Sequence, residues 1–342
     1  MERVSPVRLQ RWLSSDRPPY VLDVRDRTER AIASLPGDHW IVAEEVPERI
    51  ERIPRQGSVV VYDHCDGTAE RIAELLVLRG HPEVGVLVGG IDAYSREVDP
   101  TTPRYTVPIA DGPVVQQFPN VSTGCLSYLL SDPSTDDAIV VDPALDVRPY
   151  LAALHRRKLT LRAIVETHTH ADHLSGHAAL RERTDAPIWV SRRSRAEYPH
   201  RPLSEGVGLS FGRSELTVLE TPGHTLDHLS LRFGRAVLTG DTLLPGSCGR
   251  TDLGDGDAGL LWESLTDKLL RLPETTEVLP AHYGALHGLP PPPRYSSTIG
   301  LERRSNEALL QPDRGAFLRY MTEGWPPKPT GADAIVRENL VR

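Results

Sequence analysis

The stretch Thr167-His168-Thr169-His170-Ala171-Asp172-His173 constrains this chain more than any other. Before it, Leu161–Glu166 carries Ala163, Ile164 and Val165 and reads as a buried strand. After it, Leu174–Arg183 places Leu174, Ala178 and Leu180 on one face of a helix. Four side chains able to bind a metal therefore sit where a strand hands over to a helix. The two-residue period of the strand end puts His168 and His170 on one side. Asp172 and His173 are expected to leave from the helix start and point back to the same mouth. Imidazole together with carboxylate suits zinc, iron or manganese better than magnesium or calcium. His177 lies four residues after His173, but the pair lacks the intervening glutamate of an H-E-x-x-H helix, so it reads as a supporting residue.

Three more histidine or aspartate positions follow strand-like segments. They are His224 in Thr221-Pro222-Gly223-His224-Thr225, Asp241 in Thr239-Gly240-Asp241-Thr242, and His282 in Pro280-Ala281-His282-Tyr283-Gly284. Strands are expected at 114–118, 125–130, 138–141, 161–166, 187–190, 215–220, 228–233 and 236–238, with helices at 147–154, 260–272 and 298–310.

The chain has 342 residues, which points to two domains. Upstream of the histidines, Tyr20–Arg25, Val59–Tyr62 and Val84–Val88 read as strands and Glu70–Arg79 as a helix stopped by Gly80. Strand, helix, strand in that order argues a parallel α/β unit. Arg96–Pro113 holds Pro100, Pro103, Pro108 and Pro113 and reads as a semi-stiff linker. The expected domains are 1–105 and 106–342.

Net charge is −8 with no basic run, so nucleic acid and anionic membrane are poor partners. An anionic substrate must then be met by a local positive site. No stretch is long and apolar enough to span a membrane, and the first residues lack the apolar core of a signal peptide. Three cysteines make no disulfide framework, which points to a reducing cytoplasm. A homo-oligomer is left open. Cys125 sits in an apolar strand and reads as a small buried hydrophobe.

The H-x-H-x-D-H string, with His224, Asp241 and His282 behind it, resembles the metallo-β-lactamase superfamily over residues 114–342. That implies an αββα sandwich with metal at one edge of its sheets. The pieces Leu22-Asp23-Val24-Arg25, Val60-Val61-Tyr62-Asp63 and Val88-Gly89-Gly90-Ile91 resemble a rhodanese domain. A working rhodanese carries a cysteine directly after its central strand. The resemblance places that position on Asp63, so the domain is expected to be catalytically silent. The other reading keeps Cys65, two residues further on, as a displaced sulfur carrier.

As a superfamily member the chain has two readings. In the glyoxalase II-like one, two zinc ions are held by His168, His170 and His224 and by Asp172, His173 and His282, bridged by Asp241, for thioester hydrolysis. The stretch Cys248-Gly249-Arg250-Thr251-Asp252, with Ser297–Arg303 and Asn306, instead resembles the persulfide dioxygenases. That resemblance implies one Fe(II) per chain on His168, His224 and Asp241, with His170, Asp172, His173 and His282 around them. Two imidazoles and one carboxylate form the facial triad of non-haem iron oxygenases. The expected reaction takes a low-molecular-weight thiol persulfide, glutathione persulfide, with O2 to sulfite and free thiol. Arg250 is the candidate for positioning the persulfide or a carrier carboxylate, against a plain salt bridge with Asp252. Tyr283 is the candidate hydrogen-bond donor to substrate, and Cys248 lines the pocket or packs beneath it. This family usually has an acidic residue between the last histidine and the tyrosine. Here His282 runs directly into Tyr283.

Overall fold

The computed structural model describes residues 1–25, 30, 34–35, 37–63, 67–98, 105–107, 112–119, 125–282, 296–323 and 331–342. Most of the proline-bearing linker, Cys65 and Tyr283 lie outside these residues. The chain divides into two compact units, Met1–Val107 and Pro108–Arg342.

In the first unit the strands Glu2–Val4, Glu83–Leu87, Ser58–Tyr62, Tyr20–Asp23 and His39–Trp40 lie side by side in that order, each pair parallel. Val59 to Tyr62 are all buried, as expected of a parallel strand covered on both faces. The helix Thr68–Leu78 lays Ala69, Ile72, Ala73 and Leu76 against Leu22, Val24, Val59 and Val61. At its start the buried Asp63 carboxylate accepts from the Ala69 backbone N–H at 2.9 Å. A helix N-terminus favours negative charge, and here a carboxylate of the chain itself takes it. At the strand ends Arg25 donates to both oxygens of buried Asp23, at 2.9 and 2.8 Å, and the Tyr62 hydroxyl donates to the same carboxylate at 2.9 Å.

Among the described residues the second unit holds two large sheets and a two-stranded ribbon of Leu243–Leu244 with Ser247–Cys248. In one, the strands run Arg201–Leu203, Ile188–Ser191, Thr160–Val165, Asp137–Val141, Leu126–Ser131, Val114–Pro119. The first four are parallel and the last two join antiparallel. The other runs Gly208–Phe211, Ser214–Glu220, Leu229–Phe233, Ala236–Gly240, Glu277–Pro280, Ser297–Thr298, with its one parallel pair between Ala236–Gly240 and Glu277–Pro280. The helices Arg148–Arg157 and His177–Thr184 cover the first sheet through Tyr150, Ala153, Leu154 and Leu180. Leu261, Ile299 and Phe317, from helices Ala258–Glu263, Ile299–Ser305 and Arg314–Tyr320, cover the second. Ala138 and Val140 face the first helical layer, yet Ile139 and Val141 on the opposite face are also fully buried. Burial on both faces is what a sheet sandwiched between helices and a second sheet requires. Among the described residues no helix is long and apolar enough to cross a membrane.

Two helices differ from the sequence expectation. The 260–272 segment is not one helix but an α-turn Ala258–Glu263, a π-turn Ser264–Lys268 and a 3₁₀ turn Leu269–Arg271. The helix after the histidines starts at His177, not Leu174. Asp172 and His173 therefore leave from a loop. The reason is a tertiary contact. Asn339, on the C-terminal helix Ala332–Val341, donates its amide to the carbonyls of His170 and His173 at 3.0 and 2.9 Å, and accepts from Ser175 N–H at 2.9 Å. Those backbone groups are held outside the helical ladder.

Candidate metal centre

His168 and His170 follow the strand Thr160–Val165, His224 follows Ser214–Glu220, Asp241 follows Ala236–Gly240 and His282 follows Glu277–Pro280. Each candidate ligand thus leaves the C-terminal end of a strand. The structure brings His168, His224 and Asp241 together, one donor atom from each within 4.8 Å of the others, all three buried. Asp241 Oδ2 lies 3.5 Å from His224 Nε2 and 3.9 Å from His168 Nε2.

The surrounding hydrogen bonds fix which nitrogen of each ring is bare. Thr167 Oγ1 donates to Asp142 Oδ2 at 2.8 Å, so it accepts from His168 Nδ1–H at 2.9 Å. His224 Nδ1–H donates to the Arg250 carbonyl at 2.7 Å. Both rings therefore turn an Nε2 lone pair toward Asp241, whose other oxygen, Oδ1, accepts from His282 Nδ1 at 2.6 Å. Buried His168 Nε2 has no hydrogen-bond partner. Two lone pairs and a carboxylate oxygen facing one point with no proton among them repel one another unless a cation lies between. This donor set fits a divalent transition metal.

The other half of the mouth is arranged differently. His282 Nε2 donates to Asp172 Oδ2 at 3.0 Å, and the same oxygen meets His173 Nδ1 at 3.1 Å and Cys125 Sγ at 2.7 Å. Cys125 Sγ also lies 3.4 Å from His173 Nδ1 and from His282 Nε2. Cys125 is therefore not a simple buried hydrophobe. A bridge between its backbone and that of His282 carries its thiol into the site. Burial raises the thiol pKa, but hydrogen bonds from His173 and His282 bring the net shift below the ordinary value. Burial opposes the charged form of His282, yet Asp241 and Asp172 on either side hold it well above the ordinary range. Asp172, resisted by burial, is drawn well below by His282 and His173.

His170 stands between the two halves. Its Nε2 lies 3.2 Å from Glu166 Oε2 and 3.4 Å from Asp142 Oδ1 without the alignment of a hydrogen bond, and both of its ring nitrogens are buried without a hydrogen-bond partner. Glu166 also accepts from Ser175 Oγ at 2.6 Å and pairs with His177 Nδ1 at 3.1 Å. Burial raises this carboxyl, and His170 and His177 more than offset it, bringing it down to about 2.

His228, read in the sequence only as a strand start, is part of the site. Its ring stacks on His168 with centroids 4.9 Å apart, and its Nε2 accepts from the Asp241 backbone N–H at 2.9 Å. Its Nδ1 faces Thr221 and Thr242 hydroxyls, each at 3.0 Å. Burial pushes its pKa down to about 3, so the ring is neutral and able to accept. Gly240 makes room: at φ +50°, a Cβ there would stand 2.4 Å from His228 Nε2. The T-G-D-T motif is the sequence signal for this close approach.

For two of the catalytic candidates the structure shows the plainer of the two expected arrangements, and the third falls outside the described residues. The Arg250 guanidinium is engaged by Asp252, Nε to Oδ1 at 2.7 Å and Nη2 to Oδ2 at 2.9 Å, so its salt bridge is what the structure shows. Its service to the site runs through its backbone carbonyl on His224. Cys248 lies fully buried in the core with Leu261, Phe317 and Met321, its sulfur 3.6 Å from Met321 Sδ, and burial pushes the thiol up to about 12. It lines no site. Tyr283 belongs to the residues left undescribed.

The comparisons with known proteins agree with this geometry. The model of the metallo-beta-lactamase superfamily matches residues 122–282, and that of the rhodanese-like domain matches residues 5–97. The human mitochondrial persulfide dioxygenase ETHE1 is 33% identical over 229 residues, covering 66% of this chain and 86% of that protein. A hydroxyacylglutathione hydrolase of Hahella chejuensis is 43% identical over 158 residues, 45% of this chain, and the match spans only 60% of the hydrolase. The crystal structure of ETHE1 from Myxococcus xanthus superposes with a TM-score of 0.62 at 35% identity, covering 66% of this chain and 97% of that one. Relatives of both chemistries thus stand beside one donor set. The chain carries a rhodanese-like domain followed by a metallo-β-lactamase fold, and it belongs to the metallo-beta-lactamase superfamily.

Proposed function

We propose that this protein is an iron-dependent persulfide dioxygenase acting on a low-molecular-weight thiol persulfide, glutathione persulfide in the first instance. The balanced reaction is RSSH + O2 + H2O → RSH + SO3²⁻ + 2H⁺. The observation that carries the reading is the asymmetry of the mouth. His168, His224 and Asp241 converge with bare donor atoms, whereas Asp172, His173 and His282 are tied to one another and to Cys125. One ion of the two-histidine, one-carboxylate type is what such a site asks for. Ferrous iron there supplies redox chemistry toward dioxygen that a closed-shell zinc ion does not.

The chain's own residues do the rest. Thr167 and Asp142 hold the His168 tautomer, and the Arg250 carbonyl holds that of His224. His228 fixes the backbone of Asp241 and His282 restrains its outer oxygen. His282, flanked by Asp241 and Asp172, holds a proton beside the centre. In this reading the rhodanese-like domain has a silent role, because Asp63 occupies the helix mouth where a sulfur-bearing thiolate would sit.

The hydrolase reading has two observations in its favour. All the residues of a dinuclear site are present, and the Hahella hydrolase shares 43% identity. Metal analysis of anaerobically purified protein, with oxygen-electrode kinetics on glutathione persulfide and thioester assays beside them, separates the two. About one iron per chain with persulfide-dependent oxygen uptake is expected. Two zinc ions per chain with thioester hydrolysis and no oxygen uptake would overturn the dioxygenase reading.

A further inference from the structure

The metal mouth contains a nucleophile that the proposed reaction leaves idle. Cys125 Sγ donates to Asp172 Oδ2 at 2.7 Å and lies 3.4 Å from both His173 Nδ1 and His282 Nε2. Those two nitrogens in turn meet the same Asp172 oxygen, at 3.1 and 3.0 Å. A thiol within reach of imidazoles that a carboxylate orients is the arrangement of nucleophilic catalysis. A buried cysteine kept for packing needs none of it. Cys248 shows that case, its sulfur 3.6 Å from Met321 Sδ in a core shared with Leu261 and Phe317.

The cluster also stands on the approach to the metal centre. The Asp172 and His282 side chains are 25% and 16% exposed, against 9% for Asp241 and 1% for His168. A molecule entering from solvent therefore meets the Cys125 side of the mouth before the bare donors. Independently of the cluster, buried His168 Nε2 has no hydrogen-bond partner and is turned into the same mouth, which marks it as a place that takes a ligand. One imidazole separates the thiol from that centre. His282 faces Cys125 with Nε2 and Asp241 Oδ1 with Nδ1, the latter at 2.6 Å.

We infer that Cys125 is a covalent sulfur acceptor, which takes the outer sulfur of the substrate persulfide before dioxygen is used. Cys125 Sγ attacks the outer sulfur of RSSH. A new S–S bond forms on Cys125 as the substrate's own S–S bond breaks, and the electron pair of that bond leaves with the carrier thiolate. The thiol proton passes into the histidine–aspartate cluster and returns from it to the departing thiolate. The exchange Cys125–SH + RSSH → Cys125–SSH + RSH is balanced and needs no oxidant or reductant. Oxidation of the captured sulfur, Cys125–SSH + O2 + H2O → Cys125–SH + SO3²⁻ + 2H⁺, restores the thiol and sums with the exchange to the reaction given above. This rests on the proposed persulfide chemistry and deepens it, since Cys125 had no part in that reading.

The test is peptide mass spectrometry of full-length, iron-loaded protein mixed anaerobically with glutathione persulfide and then alkylated, with glutathione release followed in parallel. The Cys125 peptide should gain one sulfur atom and the Cys248 peptide none, and about one glutathione per chain should appear before oxygen is admitted. The Cys65 peptide is read separately. Cys125→Ser should keep its iron, give no such burst and lose persulfide-dependent oxygen uptake. His173→Gln keeps the thiol and should slow sulfur capture by about 100-fold or more, the loss expected when a general base is removed. An unmodified Cys125 in the natural protein overturns the inference, however Cys125→Ser folds. Failure of the parent reading looks different. Sulfur on Cys125 with no sulfite once oxygen is admitted leaves the capture standing and sinks the dioxygenase. Sulfite formed by Cys125→Ser at the natural rate leaves the dioxygenase standing and sinks the capture.

Discussion

The two halves of the metal mouth are built from the same residue types and end up in opposite states. In one, His168, His224 and Asp241 have their outer atoms committed to Thr167, the Arg250 carbonyl and His282, so their inner atoms stay bare. In the other, the inner atoms are themselves the committed ones: Asp172 Oδ2 meets His173, His282 and Cys125 together. Donor types alone do not tell the halves apart, since Cys125, Asp172 and His173 also bring donor atoms within 4.8 Å of one another. What differs is whether the supporting shell takes up the far atom of each residue or the near one.

The sharpest way to break this contrast is to remove one carboxylate from each half. Asp241→Ala should drop iron from about one per chain to background and abolish persulfide-dependent oxygen uptake. Asp172→Asn should keep the ion and lower turnover by about 10- to 100-fold, the usual effect of a supporting residue. Equal loss of metal in both variants would mean that the halves act as one dinuclear site. Iron determination on desalted protein, alongside the oxygen electrode, reads both outcomes.

Supporting residues of the bare half come next in size. Thr167→Val removes the acceptor for His168 Nδ1–H and the hydroxyl donor to Asp142 Oδ2, while Asp142 Oδ1 keeps the Thr167 backbone N–H. His228→Phe keeps a ring against His168 but leaves the Asp241 backbone N–H without its acceptor. Each should reduce iron affinity by about 10- to 100-fold while leaving the fold intact. Competition with a chromogenic chelator measures this. Unchanged affinity in both would show that the shell does not set the site.

Asn339→Ala tests the loop that feeds both halves. Its amide holds the His170 and His173 carbonyls and takes the Ser175 N–H, the first and last of these bonds buried and the second part-buried. Losing it leaves three backbone groups to find new partners, at roughly 1–3 kcal/mol for each left unsatisfied. Thermal unfolding should fall, and turnover should fall with it because His173 and the preceding His170 shift together. Loss of stability with turnover intact would show that the loop geometry does not depend on the clasp.

The histidine string was legible because strand and helix periods on either side of it are strong local signals. The strands leading to His224, Asp241 and His282 were legible for the same reason. What local pattern could not show was the site's second layer. Cys125 looks apolar in its strand, and only the pairing of its backbone with that of His282 places its thiol among ligands. Asn339 lies 169 positions from His170 along the chain, and no periodicity reports such a contact. The early helix start expected at Leu174 failed on that same contact. Arg250 and Cys248 were marked by the company they keep in a motif. The structure places that motif's value in backbone and packing: a carbonyl on His224, and a thiol in the core. Gly249 shows how tight the motif is, since a Cβ there would meet the Asp241 carbonyl oxygen at 2.1 Å.

The smallest expected effect comes from a carboxylate that resembles Asp172 in being satisfied entirely by the chain, but that has no part in the mouth. Asp132 accepts from Ser134 N–H and Oγ at 2.8 and 2.7 Å, and from Arg213 N–H and Ser214 Oγ at 3.0 and 2.8 Å. Burial raises its pKa, and these four hydrogen bonds from Ser134, Ser214 and Arg213 outweigh that and hold it well below the ordinary value. A depressed folded pKa means that the ionised form is favoured in the native state. The stabilisation is therefore fully present above the unfolded pKa, near 4, and is lost as pH falls through the folded value. Asp132→Asn should lower stability by about 2 kcal/mol at neutral pH, leave iron content and oxygen uptake unchanged, and approach the natural protein as pH drops below about 4. Denaturant unfolding at several pH values measures the gap. If the gap does not narrow in acid, hydrogen bonds to the charged form are not what Asp132 contributes. If iron is lost at neutral pH, a self-satisfied carboxylate outside the mouth shapes it after all, and the division between bare and committed halves is no longer local.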